Sequence, residues 1–200
     1  MKDKDFNPAS ILFFDTETTG FRPGNICQLS YLIINGQDIL PNNFYFRVDY
    51  VEPGAERIHG LSVDKLASLS NNKSFSHSFS KIKSDFSRVD LLVGHNLNFD
   101  LGFIRAEFAR CNSDFAYDRG MCTMRYFTNI CKIPGSNGRG YKWPRLEELT
   151  NFFKISHKEI IRTTESLFNS GNTSYHDARF DSVATYLSYL KAREKGLIRI

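Results

Sequence analysis

Four consecutive apolar residues, Ile11 to Phe14, run directly into two acids in the stretch ILFFDTETTG. This places the tightest limit on the fold. A run containing two phenylalanines suits a strand covered on both faces, and therefore the centre of a sheet with a layer on either side. The acids then stand where that strand leaves the sheet. Side chains alternate along a strand, so Asp15 and Glu17 point the same way with Cα atoms roughly 6.5 Å apart. Two like charges converging there need something positive between them, and a hard divalent cation with oxygen ligands meets that need. Such pairs rarely act alone, so further ligands are expected elsewhere in the chain.

The rest of the sequence is compatible with one domain spanning residues 1–200, since its 200 residues can bury a single sizeable core. No apolar run approaches the roughly 20 residues of a membrane span, and MKDKDFNPAS lacks the apolar segment of a secretory signal. A cytoplasmic protein with no membrane partner is expected. The four cysteines, Cys27, Cys111, Cys122 and Cys131, have no CxxC spacing and read as packing residues. A net charge of +4 permits a polyanionic partner without demanding one.

Neither an internal repeat nor a low-complexity tract divides the chain. After the first strand, FRPGN turns the chain, ICQLSYLIING reads as a second strand and NFYFRVDY (43–50) as a third. Helices are expected from about Ser62 and across SFSHSFSKIKSDFSRV, followed by the short strand LLVG and a helix through DLGFIRAEFA. Further helices are expected over Cys122 to Cys131, Leu146 to Phe153 and Asp177 to Arg193, with PGSNGRG and NSGNTSY as loops. This order implies an α/β fold, a mixed sheet with helices on its faces.

Two segments offer the missing ligands. GHNLNFD ends the LLVG strand and puts Asp100 at the opening of the next helix, beside the central strand's carboxyl end, where sites gather in such sheets. An isolated Asp there ordinarily only complements the helix dipole. In YHDARFDSVATYLSYL, Phe180, Val183 or Ala184, Leu187 and Leu190 form a buried stripe with Asp181 beside it. His176 and Asp181 are five apart, about 140° on a continuous helix, so they share a centre only if His176 precedes the helix. Asp177 suits the helix cap.

Taken together, FFDTETTG, GHNLNFDLGFI and YHDARFD resemble the three motifs of the DEDDh superfamily of 3'-to-5' exonucleases. The patterns D-x-E-T-T-G, H-N-x-x-F-D and H-x-A-x-x-D occur in order between positions 15 and 181, with no departure at the five key residues. The resemblance implies a ribonuclease H-like mixed five-stranded sheet flanked by helices. It implies two divalent cations, Mg²⁺ with Mn²⁺ as a substitute, held by Asp15, Glu17, Asp100 and Asp181. It also implies His176 as general base, with Thr18, His59, Asn96 and Phe99 contacting the terminal nucleotide. His59 has an ordinary alternative as a hydrogen-bonded turn residue.

The expected activity is removal of nucleoside monophosphates from the free 3' end of nucleic acid, with single-stranded DNA as substrate. An RNA-trimming enzyme and a catalytically silent nucleic-acid-binding adaptor on the same fold are the alternatives. The chain stops at Ile200, soon after the last helix, with no evident polymerase-binding tail, and a homodimer is compatible with the family. CKIPGSNGRGYKWPRLEEL mixes Lys132, Arg139, Lys142 and Arg145 with Tyr141 and Trp143 and offers a guide for a single strand. The favoured reading of that segment is a solvated loop with Trp143 anchored in the core. QLSYL resembles a sliding-clamp-binding peptide, but its alternation assigns it to a strand whose backbone is already paired.

Overall fold

The computed structural model describes residues 7–136, 138–170 and 173–198. Strands β1 (Ser10–Thr18), β2 (Ile26–Asn35) and β3 (Asp38–Tyr45) form an antiparallel meander. Helices α1 (Pro53–His59), α2 (Val63–Leu69) and α3 (Phe75–Ser87) follow, then β4 (Leu91–Gly94) and α4 (Leu97–Arg110). Next come β5 (Gly120–Cys122), α5 (Thr123–Tyr126), α6 (Thr128–Cys131), α7 (Leu146–Phe152), α8 (His157–Phe168) and α9 (Ala178–Glu194). The sheet order is β3-β2-β1-β4-β5, with β4 parallel to both β1 and β5. It is the mixed five-stranded sheet, flanked by helices, that the motifs imply.

The apolar run at β1 is buried on both faces. Ile11 and Phe13 pack with Phe180, Val183 and Tyr189 of α9, while Leu12 and Phe14 join Phe86 of α3 and Leu101 of α4 in a second cluster. Phe13 lies edge-on to Tyr186 and Tyr189, with ring centroids 5.2 and 5.1 Å away. Contrary to the single stripe expected for α9, nearly all of its circumference is enclosed. Leu187 and Leu190 are only partly buried, whereas Ser182, Thr185, Tyr186, Ser188 and Tyr189 are buried. The helix lies on β1 and β2 and is itself covered by α7 and α8, so a two-sided sequence pattern is absent.

Other boundaries differ for local reasons. The third strand lies five residues earlier than expected, at Asp38–Tyr45, because Gly36 and Gln37 make a two-residue turn between the paired Asn35 and Asp38. Gly36 takes φ 59°, as such a turn requires. Pro41 sits within this strand without harm because β3 is an edge. The later alternation of Phe46 and Val48 reflects burial in two separate clusters and not ladder pairing. The helix expected over Cys122 to Cys131 is split at Phe127, whose ring is fully buried. Three elements fall outside the sequence expectation: β5 has three residues, α1 buries none, and α8, which opens on the Ser156–Glu159 cap, buries only Ile160 and Thr164.

QLSYL is part of β2, paired with β1 and β3 on its two sides, as its alternation indicates. The four cysteines are free thiols, and burial pushes Cys27 up to about 12 and Cys131 to about 11, in keeping with packing roles. Among the described residues no helix is long and apolar enough to cross a membrane. Residues 1–6, where the absence of a signal segment was read, and 199–200 lie outside the described residues. So do Asn137 in PGSNGRG and Gly171 and Asn172 in NSGNTSY.

Because Phe13 joins the central strand to α9, Phe13→Ala should cost about 3–5 kcal/mol. Urea unfolding would register it as a lower midpoint at unchanged slope, and a loss under about 1 kcal/mol would contradict the packing described here.

Candidate active site

The acids of β1 project from the face that α9 covers. Asp15 and Glu17 meet Asp181 from the first turn of α9, and the three can each place a carboxylate oxygen within 4.8 Å of the other two. Asp100, in the first turn of α4, is not in this tight group. Its Oδ1 accepts hydrogen bonds from the Thr16 hydroxyl at 2.6 Å and the Thr16 backbone N–H at 3.2 Å. Parallel pairing of β1 with β4 brings α4 to this position, since Phe13 lies opposite Val93 and the helix begins just beyond.

The start of α9 is tied to the sheet by polar contacts. Asp177 is the N-cap, accepting from Arg179 N at 3.0 Å and pairing with the Arg179 guanidinium at 2.6 Å. His176 lies before the helix, as sharing a centre with Asp181 requires, and adopts φ 68°, an uncommon value for a non-glycine residue. Its backbone N–H donates to Asp181 Oδ2 at 3.0 Å. The other oxygen, Asp181 Oδ1, is buried with no hydrogen-bond partner among the described residues. A buried carboxylate oxygen left unpaired beside two more carboxylates fits a cation with a preference for oxygen.

Two cavities flank the acids. The smaller, about 140 Å³, is lined by Glu17, Thr18, Phe21, Glu52, His59 and Phe99, among others. The larger, about 580 Å³, is lined by Asp15, Asn96, Trp143, Arg145, His176 and Asp181, among others. Thr18, His59 and Phe99 therefore share one cavity, while Asn96 belongs to the other. At Gly20 a Cβ would come within 2.2 Å of Glu52 Oε1, so a larger residue there would displace the Glu52 carboxylate from the cavity edge. His59 accepts at Nδ1 from Leu61 N, so Nε2 carries the proton and donates to Thr18 O at 3.2 Å. It braces the turn and lines the cavity at once.

The electrostatics follow from crowding. Burial, then repulsion from Asp181, Asp100 and Glu17, holds the Asp15 carboxyl well above its usual range, although it alone of the four acids keeps partial solvent access. Glu17 is raised by burial and then by Asp181 and Asp177. Burial pushes Asp100 up to about 7 against the opposing effect of Thr16, and Asp181 up to about 8 against that of the His176 N–H.

Several residues of this region were not singled out from sequence. Gln28, 1% exposed, donates from its amide to Asp177 Oδ1 at 3.1 Å and accepts from Ala178 N at 3.3 Å, tying β2 to the start of α9. A polar residue inside a largely apolar strand was its only signal. Phe21, 81% exposed, stands at the smaller cavity without a periodic neighbour to mark it. Trp143 is not the expected core anchor; it is 56% exposed. Pro144 and Leu146 beside it are buried instead, which turns the indole outward.

The architecture is that of the exonuclease I fold. E. coli exonuclease I in complex with a dT13 oligonucleotide superposes with a TM-score of 0.71 over 94% of this chain and 42% of that one, at 22% identity. A product-bound exonuclease I gives 0.70 over 94% and 44%, at 21% identity. The RNase T exonuclease family matches residues 12–159, and the chain belongs to that family, within the DEDDh 3'-5' exonuclease superfamily. The DNA polymerase III subunit epsilon of Treponema pallidum (strain Nichols) is 30% identical over 105 residues, 49% of this chain and 46% of that protein. The corresponding subunit of Buchnera aphidicola subsp. Schizaphis graminum is 24% identical over 167 residues, covering 78% and 70%. The chain spans about half the length of the first curated relatives it matches.

The raised carboxyls make cation-free stability fall with pH. The unfolded chain loses these protons near pH 4, whereas the fold retains them to about 7 at Asp100 and about 8 at Asp181. For Asp100 and Asp181 the stabilising contribution is therefore complete below about pH 4 and is lost as pH rises to about 7 and about 8 respectively. Asp15→Asn relieves the mutual repulsion, so in chelator at pH 8 it should raise the thermal midpoint by about 2–4 °C for each kcal/mol relieved. Millimolar Mg²⁺ should raise the wild-type midpoint more than that of the variant. Calorimetry giving identical midpoints for both proteins with and without Mg²⁺ would exclude a cation at these acids.

Proposed function

We propose that the chain is a 3'-5' exonuclease that hydrolyses the terminal phosphodiester of single-stranded DNA and releases nucleoside 5'-monophosphates. The observation that carries this reading is the convergence of Asp15, Glu17 and Asp181, with the unpaired Asp181 Oδ1 among them, between two cavities. The oligonucleotide in the exonuclease I neighbour favours DNA as the first substrate to test.

Asp15, Glu17 and Asp181 would hold divalent cations, Mg²⁺ by preference, with Asp100 joining once its bonds to Thr16 rearrange. When bound, such cations supply charge stabilisation at the transferring phosphoryl group and ease ionisation of the attacking water. The remaining work falls to the chain itself. His176 shares the larger cavity with Asp15 and Asp181 and serves as general base, accepting the water's proton. The N–H bond from His176 to Asp181, the Asp177 cap and Gln28 hold that segment in register with β1.

The smaller cavity takes the 3'-terminal nucleotide. Phe21 and Phe99 present aromatic surface to its base, and Thr18 with the neighbouring backbone faces its sugar. Stacking tolerates any base, so little sequence preference is expected. His59 keeps the turn in place through Thr18 O.

With 5'-labelled single strands of DNA and RNA in Mg²⁺, wild type should give a ladder shortening from the 3' end, abolished by chelator. His176→Ala should slow kcat by about 10²–10⁴, and Asp15→Ala should remove turnover altogether. Wild-type turnover in His176→Ala across pH 6 to 8 would remove the general-base assignment. Faster RNA than DNA degradation would reassign the substrate, and binding of both without cleavage of either would make the chain an adaptor.

A further inference from the structure

Trp143 is the only tryptophan of the chain, and it is held outward by fixed backbone on both sides. Before it, Tyr141 bridges to Pro134 and Lys142 N donates to Ile133 O at 2.9 Å. The Lys142 amine is in turn held by both oxygens of Glu148, at 2.5 and 2.7 Å. After it, Pro144 biases the preceding backbone toward an extended conformation. Pro144 O accepts from His95 Nε2 at 3.1 Å, which fixes the proton on that nitrogen and leaves Nδ1 to accept from the Thr123 hydroxyl at 3.0 Å. Burial pushes His95 down to about 4, so this brace stays neutral at working pH.

The indole projects into the wall of the larger cavity, which it shares with Asp15, His176 and Asp181. The Arg125 guanidinium lies 5.6 Å from the ring centroid and backs it. Arg145 adds a cation to the same wall and Glu147 an acid, and the distinctive feature of that wall is its aromatic face.

We propose that Trp143, backed by Arg125, is the stacking platform for the base of the nucleotide preceding the scissile bond. This rests on the exonuclease reading above: with the terminal nucleotide in the smaller cavity, the next one lies across the acids, in the cavity that Trp143 lines. A flat ring held by its backbone loses little freedom on binding, and base-on-aromatic stacking supplies affinity without sequence preference.

The lone tryptophan lets the contact be read directly. In Ca²⁺ in place of Mg²⁺, a thymidine octanucleotide should quench the intrinsic tryptophan fluorescence saturably, whereas thymidine 5'-monophosphate should not. Equal quenching by the mononucleotide would overturn the assignment to the preceding base. Kinetics in Mg²⁺ give the second arm, using the octanucleotide and the p-nitrophenyl ester of thymidine 5'-phosphate, which carries p-nitrophenolate in place of the preceding nucleotide. For Trp143→Ala, the ratio of kcat/KM between octanucleotide and ester should fall by about 5- to 100-fold, with Trp143→Phe intermediate. An unchanged ratio would overturn the proposal. Quenching by the octanucleotide in a protein that degrades neither substrate would keep the stacking platform and remove the exonuclease reading; turnover without quenching would do the reverse.

Discussion

Mutual repulsion among buried carboxylates is the constraint around which this molecule is arranged. Asp15, Glu17, Asp100 and Asp181 crowd one end of the central strand, and burial raises the cost of ionising each of them. Such a cluster persists only where the surrounding structure is held firmly. Here β1 is clamped between two apolar layers, Thr16 neutralises part of the Asp100 demand, and the backbone before α9 donates to Asp181. Asp181 Oδ1, buried and without a hydrogen-bond partner among the described residues, lies where a cation would complete the balance.

The same arrangement divides space around the acids. One side is a small cavity with apolar walls under the β1 turn; the other is a larger cavity of mixed lining closed by the segment from Trp143 to Glu147. Because Glu17 borders the first and Asp15 the second, the carboxylates stand between the two cavities.

Support beyond the acids is asymmetric. On the α9 side, Gln28, Asp177 and Arg179 form a polar network linking β2 to the helix start. On the opposite wall, His95 connects the end of β4 to Pro144 and so to the aromatic that faces the cavity. Both devices use side chains within or adjacent to recognisable motifs, yet their partners lie 149 and 49 residues away along the chain. Proximity of that kind leaves no local pattern to read.

Local chemistry in the sequence determined the central strand, the order of the three acidic motifs, the cap at Asp177 and the polypeptide order of most elements, because apolar runs, alternation and cap residues act within a few positions. It also determined that His176 must precede the last helix if it is to join Asp181, since helical geometry forbids any other meeting. Tertiary structure alone decided the rest. The enclosure of α9 on nearly every side erased its stripe, and the edge position of β3 admitted Pro41. The burial of Pro144 and Leu146 turned Trp143 toward the cavity, and Thr16 drew Asp100 away from the tightest group of acids. These outcomes depend on which surfaces meet across long separations, and burial is a property of that meeting, not of any residue read alone.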